Sequence, residues 1–310
     1  KLIPDVDGEC VHLEAELCGD GKLSAEVYFG EKPVSGDTCV SSDGIAKMTL
    51  PVKDPVLWDI GQGNLYDVRL KFGDDCAAAY FGMRKIECRQ RQLYLNGRRL
   101  FMRLVLDQGY YPDGIYTARD TDEIRRDIEM SMACGFNGAR MHMKIFEPYF
   151  MYLADRAGYI LWGEYPNWGL DISRPEANDA MLPEWREQLR RDVNHPSIIG
   201  WCPFNEAFPG KNSEIIEKAV EAARSYDPSR LVIDSSGWTH KVRADIYDVH
   251  DYEQNPDVFR EHYSFFESGK DSFTNGFDGD IGYDGVSPYF VSEFGGAFFD
   301  IDSVYKNAGQ

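Results

Sequence analysis

The chain has 310 residues, 43% hydrophobic and 27% charged, with a formal net charge of -19. Such a composition belongs to a globular protein with a sizeable core, either one large domain or a small domain plus a barrel. The acidity disfavours nucleic acid, whose phosphates need a basic footprint, and anionic membrane surfaces, and no apolar run approaches the length of a membrane span.

The first residues, KLIPDVDGEC, hold no signal-peptide core and read as internal to something longer, so an export signal upstream would not be seen. Up to about residue 90 the pattern has period two. Leu13, Ala15 and Leu17 alternate with polar residues, as do Leu23, Ala25, Val27 and Phe29, then Met48, Leu50 and Val52, then Val68, Leu70 and Phe72. Short alternating runs broken by Gly, Asp and Pro predict an antiparallel β-sandwich over residues 1–88 without helices. The seven cysteines, at 10, 18, 39, 76, 88, 134 and 202, contain no Cys-x-x-Cys pair. That disfavours a zinc knuckle or disulfide framework and fits reduced thiols, as in the cytoplasm.

From residue 89 the pattern turns to strand-then-helix. ARDTDEIRRDIEMSMACGF predicts an amphipathic helix with Thr121 as N-cap and a stop at Cys134-Gly135. NGARMHM is a short strand, 147–158 a helix, and 159–162 an apolar strand. Helix 183–194 stops at Asn194-His195-Pro196, which makes His195 structural, and strand 198–204 follows. Then come helix 212–226 and strands at 231–234, 244–250 and 289–294, with 267–287 as a long acidic, Gly-rich loop. This alternation calls for a (β/α)₈ barrel, which uses about 31 residues per unit. Counted from Leu104, Glu206 ends the fourth strand and Glu293 the seventh, leaving 89–310 about one unit short of closure. An unpaired parallel edge of that kind predicts self-association.

Glu206 in WCPFNEAFPG and Glu293 in YFVSEFGGAFF therefore open onto the same end of one barrel. Two carboxylates across a cleft are the minimum needed to hydrolyse a glycosidic bond. Apolar Trp201 and Phe204 before Glu206 suit a carboxyl with a raised pKa, and hence a general acid.

These segments resemble glycoside hydrolase family 2, the β-galactosidases, β-glucuronidases and β-mannosidases. NHPSIIGWCPFNE is similar to the segment ending in the family's acid/base glutamate, and SEFGG to its nucleophile segment. LYLNGRRLFMRLVLDQGYYPDG resembles the first barrel strand and GFNGARMHMKIFEP the second, with Arg140 at the family's arginine. LWDIGQGNLYDVRLKF and YFGMRKIE resemble the last strands of the immunoglobulin-like domain before the barrel. The resemblance implies a retaining, exo-acting, β-galactosidase-like β-glycosidase acting on glycosides or oligosaccharides. In that reading Glu206 is the acid/base, Glu293 the nucleophile, Asn205 bonds the sugar 2-hydroxyl, and Arg140 keeps the nucleophile ionised. The resemblance leads to the expectation that the family's N-terminal jelly roll has no counterpart within these residues. Where some members carry a magnesium site with a Glu-x-His pair, this chain reads GEYPNWG, so no metal or cofactor carries over.

Further cleft candidates are His142, His250, Tyr252, Glu164 and Asp107, with Gln108 and Tyr110 beside the last. Trp162, Trp168 and Trp238 fall at predicted loop starts, where an aromatic plane can stack on a pyranose or simply pack in the core; Trp58 and Trp185 read as core. Two alternatives stand beside the glycosidase. One is a catalytically silent carbohydrate-binding fragment. The other is a metal-dependent barrel hydrolase suggested by His250-Asp251, disfavoured because only six histidines are present.

Overall fold

The computed structural model describes residues 1–269, 272–277 and 279–296; the part of the expected barrel domain at 297–310 lies outside them. The first seven strands are β1 (Leu2–Asp5), β2 (Cys10–Glu16), β3 (Lys22–Phe29), β4 (Lys32–Val40), β5 (Ile45–Pro51), β6 (Tyr66–Phe72) and β7 (Asp75–Phe81). They form two antiparallel sheets, ordered β1-β2-β5 and β4-β3-β6-β7. The alternation read from sequence places Val11 and Leu13 of one sheet against Leu23, Ala25 and Val27 of the other, in one shared core.

β8 (Ile86–Arg89), β9 (Gln92–Leu95) and β10 (Arg98–Leu100) make a small antiparallel meander. The LYLNGRRL segment, expected to begin the barrel, is thus a hairpin, turned at Asn96-Gly97, where both residues have positive φ. Its Leu93, Leu95 and Leu100 pack with Ile160, Trp162, Ile199 and Ile246 inside the barrel, closing the barrel's lower end.

The barrel strands are β11 (Leu104–Asp107), β12 (Gly138–Met141), β13 (Ile160–Glu164), β14 (Ile198–Cys202), β15 (Leu231–Val232), β16 (Tyr247–Asp251) and β17 (Tyr289–Phe294). β11 to β15 form one parallel sheet in sequence order, and β16 pairs in parallel with β17. The seam between β15 and β16 is held by Asp245 N–H donating to Val232 O at 2.9 Å. Among the described residues β17 and β11 do not pair with each other, and a largely apolar cavity of about 720 Å³ opens between them, lined by Leu104, Phe136, Phe259, Phe266 and Phe290.

The crossover helices are α1 (Thr121–Ala133), α2 (Pro148–Ala157), α3 (Ala177–Asp192) and α4 (Glu214–Tyr226), and after β16 come the short α5 (Pro256–His262) and α6 (Phe265–Ser268). Asp120, one residue before the expected Thr121, caps α1 by accepting from Glu123 N–H. α3 begins six residues earlier than the sequence suggested and carries Pro183 inside its span. α2 starts with Pro148 in its first turn and ends at Gly158 in the left-handed conformation. A Cβ at Gly158 would lie 2.3 Å from Asp59 O, so this glycine also admits the sandwich loop against the barrel. That docking is specific: Trp58 Nε1–H donates to Asp155 O at 2.7 Å, and Arg84 donates to the carbonyls of Pro196 and Ile198, each at 2.9 Å.

Candidate active site

Parallel barrel strands deliver their last residues to one rim. β12 brings Arg140, β13 ends in Glu164, the turn after β14 supplies Asn205 and Glu206, β16 carries Asp248 and His250, and β17 carries Ser292 and Glu293. Glu206 itself sits at φ 45°, in the left-handed region, with its N–H donating to Ser236 O at 2.9 Å. A strained backbone at a cleft carboxylate is held by its surroundings and is common at functional sites.

Arg140 organises the floor. It is 2% exposed, and its fork donates through Nε to Glu164 Oε2 at 2.6 Å and through Nη2 to Glu164 Oε1 at 3.2 Å. Nη2 also donates to Asn205 Oδ1 at 2.6 Å, and Nη1 to Glu293 Oε1 at 2.8 Å. Charge-assisted bonds of this bidentate kind fix geometry as well as energy. Glu164 is fully buried, and its Oε1 also accepts from Met143 N–H, so both its oxygens are engaged in holding the floor.

Asn205 is locked by a reciprocal pair with Asn167: its N–H donates to Asn167 Oδ1 at 2.7 Å, and Asn167 Nδ2 donates to Asn205 O at 3.0 Å. With Oδ1 taken by Arg140, its buried Nδ2 has no protein partner. A buried amide donor left without a partner asks for an acceptor.

Glu293 accepts from Tyr252 OH at 2.5 Å on its other oxygen, and His142 Nε2 lies 3.5 Å from Oε1. Gln108 Nε2 can only donate, so His142 Nδ1 accepts from it at 3.1 Å and the neutral ring presents Nε2–H to the cleft. Burial lowers the His142 pKa, which favours that neutral form.

Glu206 is half-buried, and burial raises its carboxyl pKa against the opposing pull of Arg140 and His142. Its Oε1 meets His250 Nδ1 at 2.9 Å. Burial foremost pushes His250 down to about 3, so the imidazole is neutral and one proton is shared between ring and carboxyl. On the far side His250 Nε2 contacts Ser236 Oγ at 2.8 Å, and Ser236 and Ser292 lead to Asp248 Oδ1 at 3.3 and 2.8 Å. Asp248 is fully buried, its Oδ2 has no partner, and burial pushes its pKa up to about 7.

One carboxylate oxygen of Glu206, one of Glu293 and a ring nitrogen of His250 lie within 4.8 Å of one another. The same atoms could surround a cation, but Arg140 already sets a fixed positive charge 2.8 Å from Glu293 and 3.5 Å from His250 Nε2. A divalent ion there would face like charge, and the donor set does not suit a resident metal.

The fold thus gathers Glu206, Glu293, Asn205, Arg140, His142, His250, Tyr252 and Glu164 into one hydrogen-bonded cluster. Trp238 stands at its rim, and Trp168 is held by its indole N–H donating to Asn205 O at 3.1 Å. Two expectations are corrected. Asp107 is level in the sheet with Met141, whose side chain belongs to the core between strands and helices; the Asp107 carboxylate accepts from Gly109 N–H and faces away from the cleft. Trp162 lies in mid-strand, fully buried in the lower core, where glycine at position 200 leaves room for its ring. Tyr110 is exposed and packs on Tyr116. Sequence reasoning passed over Asp248, Ser236, Ser292 and Asn167. The Asp248-x-His250 alternation, which puts both on one face of β16, was the available signal for the first.

A family model described as "Glycosyl hydrolases family 2, TIM barrel domain" matches residues 86–274. A β-galactosidase of Leuconostoc mesenteroides is 27% identical over 275 residues, 79% of this chain and 26% of that protein. One from Vibrio vulnificus is 31% identical over 213 residues, 64% of this chain and 20% of its own length. The chain therefore spans about a fifth to a quarter of the length of these curated relatives. Among solved structures, the β-glucuronidase of Ruminococcus gnavus in complex with D-glucuronic acid superposes with a TM-score of 0.77 at 19% identity, over 96% of this chain and 53% of that one. At that identity the likeness speaks for the fold alone.

Proposed function

The chain belongs to glycoside hydrolase family 2, and on that premise we propose that it carries the catalytic site of a retaining, exo-acting β-glycosidase. Glu206 donates its proton to the glycosidic oxygen while Glu293 attacks the anomeric carbon, forming a glycosyl-enzyme and releasing the leaving group. Glu206 then takes a proton from water, which displaces Glu293. The observation that carries this reading is the approach of the two carboxylates to within 4.8 Å. That is near the roughly 5–5.5 Å of double displacement and leaves no room for the water that an inverting site holds between groups about 6.5–9.5 Å apart.

The environments support the division of labour. Glu206, with a burial-raised pKa and a neutral histidine neighbour, suits the proton donor. Glu293, gripped by Arg140 and Tyr252, is positioned to attack rather than to exchange protons with solvent. The free Nδ2 of Asn205 suits a hydrogen bond to the substrate's 2-hydroxyl. We assign the sandwich to the immunoglobulin-like type, on its three-plus-four strand order. β-Galactosides are the first substrates to try, because the curated relatives are β-galactosidases.

Glu206→Ala should retain glycosylation of the enzyme by aryl glycosides with good leaving groups but slow deglycosylation, with azide restoring turnover and giving a β-glycosyl azide. Azide rescue that instead yields the α-azide, or rescue of Glu293→Ala with a β-azide product, would reverse or refute the roles.

A further inference from the structure

Three loops that leave the catalytic rim bring aromatic rings together beside Glu206. Phe208 follows β14, Trp238 follows β15, and Phe277 follows β16. The Phe208 and Trp238 ring centroids are 4.7 Å apart, Phe208 and Phe277 5.3 Å, and Trp238 and Phe277 6.4 Å. Yet Phe208 and Phe277 each remain 50% exposed. Trp238 is held at φ 53°, a conformation that bulky residues avoid. An exposed apolar cluster built partly on a strained residue calls for an occupant.

The placement of the cluster says which occupant. Phe208 lies two residues after Glu206. Gly237, next to Trp238, packs directly on the His250 ring, where a Cβ would come within 2.6 Å, and that ring bonds Glu206 at 2.9 Å. The three rings are thus tied more closely to the proton donor: Phe208 is two residues from Glu206, and His250 bonds Glu206 at 2.9 Å but lies 3.5 Å from Glu293 Oε1, whose hydrogen-bond donors are Arg140 and Tyr252. A proton donor faces the glycosidic oxygen, so the leaving group lies on its side of the cleft. We propose that Phe208, Trp238 and Phe277 form the platform for the leaving group, and that the preferred substrates are β-glycosides whose leaving group presents a ring face, a second pyranose or an aryl ring. The direction of this inference rests on the glycosidase reading, since it takes Glu206 as the acid.

Direct binding tests it without turnover. Phenyl and methyl 1-thio-β-galactosides, and the matching glucuronides, are titrated calorimetrically into the protein and into Trp238→Ala and Phe277→Ala, with circular dichroism to verify folding. Aromatic contacts of this kind predict about three- to tenfold tighter binding of the phenyl member of a pair. That ratio should fall toward one in either variant, and an S-linked lactose-type disaccharide, galactose linked β-1,4 to glucose, should follow the phenyl galactoside if a pyranose is accepted. No phenyl preference in the parent protein, or an undiminished preference in both folded variants, overturns the platform. Hydrolysis of β-glycosides without a phenyl preference would count against the platform alone. A variant-sensitive phenyl preference in a protein that hydrolyses no β-glycoside would support the platform and count against the glycosidase reading.

Discussion

Asp248 shows how one residue ties the cleft to the stability of the barrel. Its Oδ1 accepts from Gly237 N–H and Ser292 Oγ–H while Oδ2 has no partner, the arrangement of a carboxyl that keeps its proton. Burial pushes its folded pKa up to about 7, above the roughly 3.9 of an unfolded aspartate. Between those values the unfolded chain releases a proton that the folded chain retains, so stability falls as pH rises from about 4 to 7. Below that window the group carries no penalty; above it the penalty is complete and on the order of 4 kcal/mol at most. Asp248→Asn keeps the accepting oxygen and cannot ionise. Its urea midpoint should exceed that of the parent protein at pH 8 and converge with it near pH 4. A variant less stable than the parent at pH 8 would mean that the carboxylate form is the one the fold requires.

Among the elements, the C-terminal turn of α2 joins barrel to sandwich. Asp155 accepts from Ser197 N–H at 2.9 Å and from Tyr80 OH at 2.9 Å, and His195 Nδ1 lies 2.7 Å away. Asp155→Ala leaves the buried Ser197 N–H without its acceptor and should cost about 1–3 kcal/mol, read as a lower denaturant midpoint. An unchanged midpoint would mean that the Ser197 N–H finds another acceptor and that Asp155 does not hold this corner together. These elements also show what was legible beforehand. The sandwich strands were readable because one buried face imposes strict alternation, and α1, α2 and α4 because each buries one stripe. The β8–β10 meander was not, because its short apolar runs match the family's first barrel strand as well as they match a hairpin. α5 and α6 are too short to show helical periodicity. In the cleft, Glu206, Glu293, Asn205 and Arg140 were legible through motif context. Asp107 was misplaced because whether a strand's last residue faces in or out depends on parity, and only pairing with Ala139 and Met141 fixes it.

At the scale of the whole molecule, the described residues leave one side of the barrel open. The cavity between β17 and β11 is lined mainly by apolar groups, and Phe101 and Phe294 beside it are 71% and 65% exposed. An apolar opening between two strand edges that do not pair with each other among the described residues favours association, while the net charge of -19 opposes it. The 310-residue chain should therefore self-associate with rising concentration in sedimentation velocity, more strongly as added salt screens the repulsion. Phe101→Glu should weaken that association. A single monomeric species at all concentrations and salt levels would show that the opening is covered. Turnover is a blunt readout of the roles, because displacements near 1 Å can lower it about a hundredfold. The chemical claim is therefore best tested by trapping rather than by rate. Incubation with an activated 2-deoxy-2-fluoro-β-galactoside or glucuronide, followed by proteolysis and mass spectrometry, locates the glycosyl-enzyme bond. The account predicts a single labelled peptide carrying the sugar on Glu293, lost in Glu293→Gln; a sugar on Glu206 would contradict it.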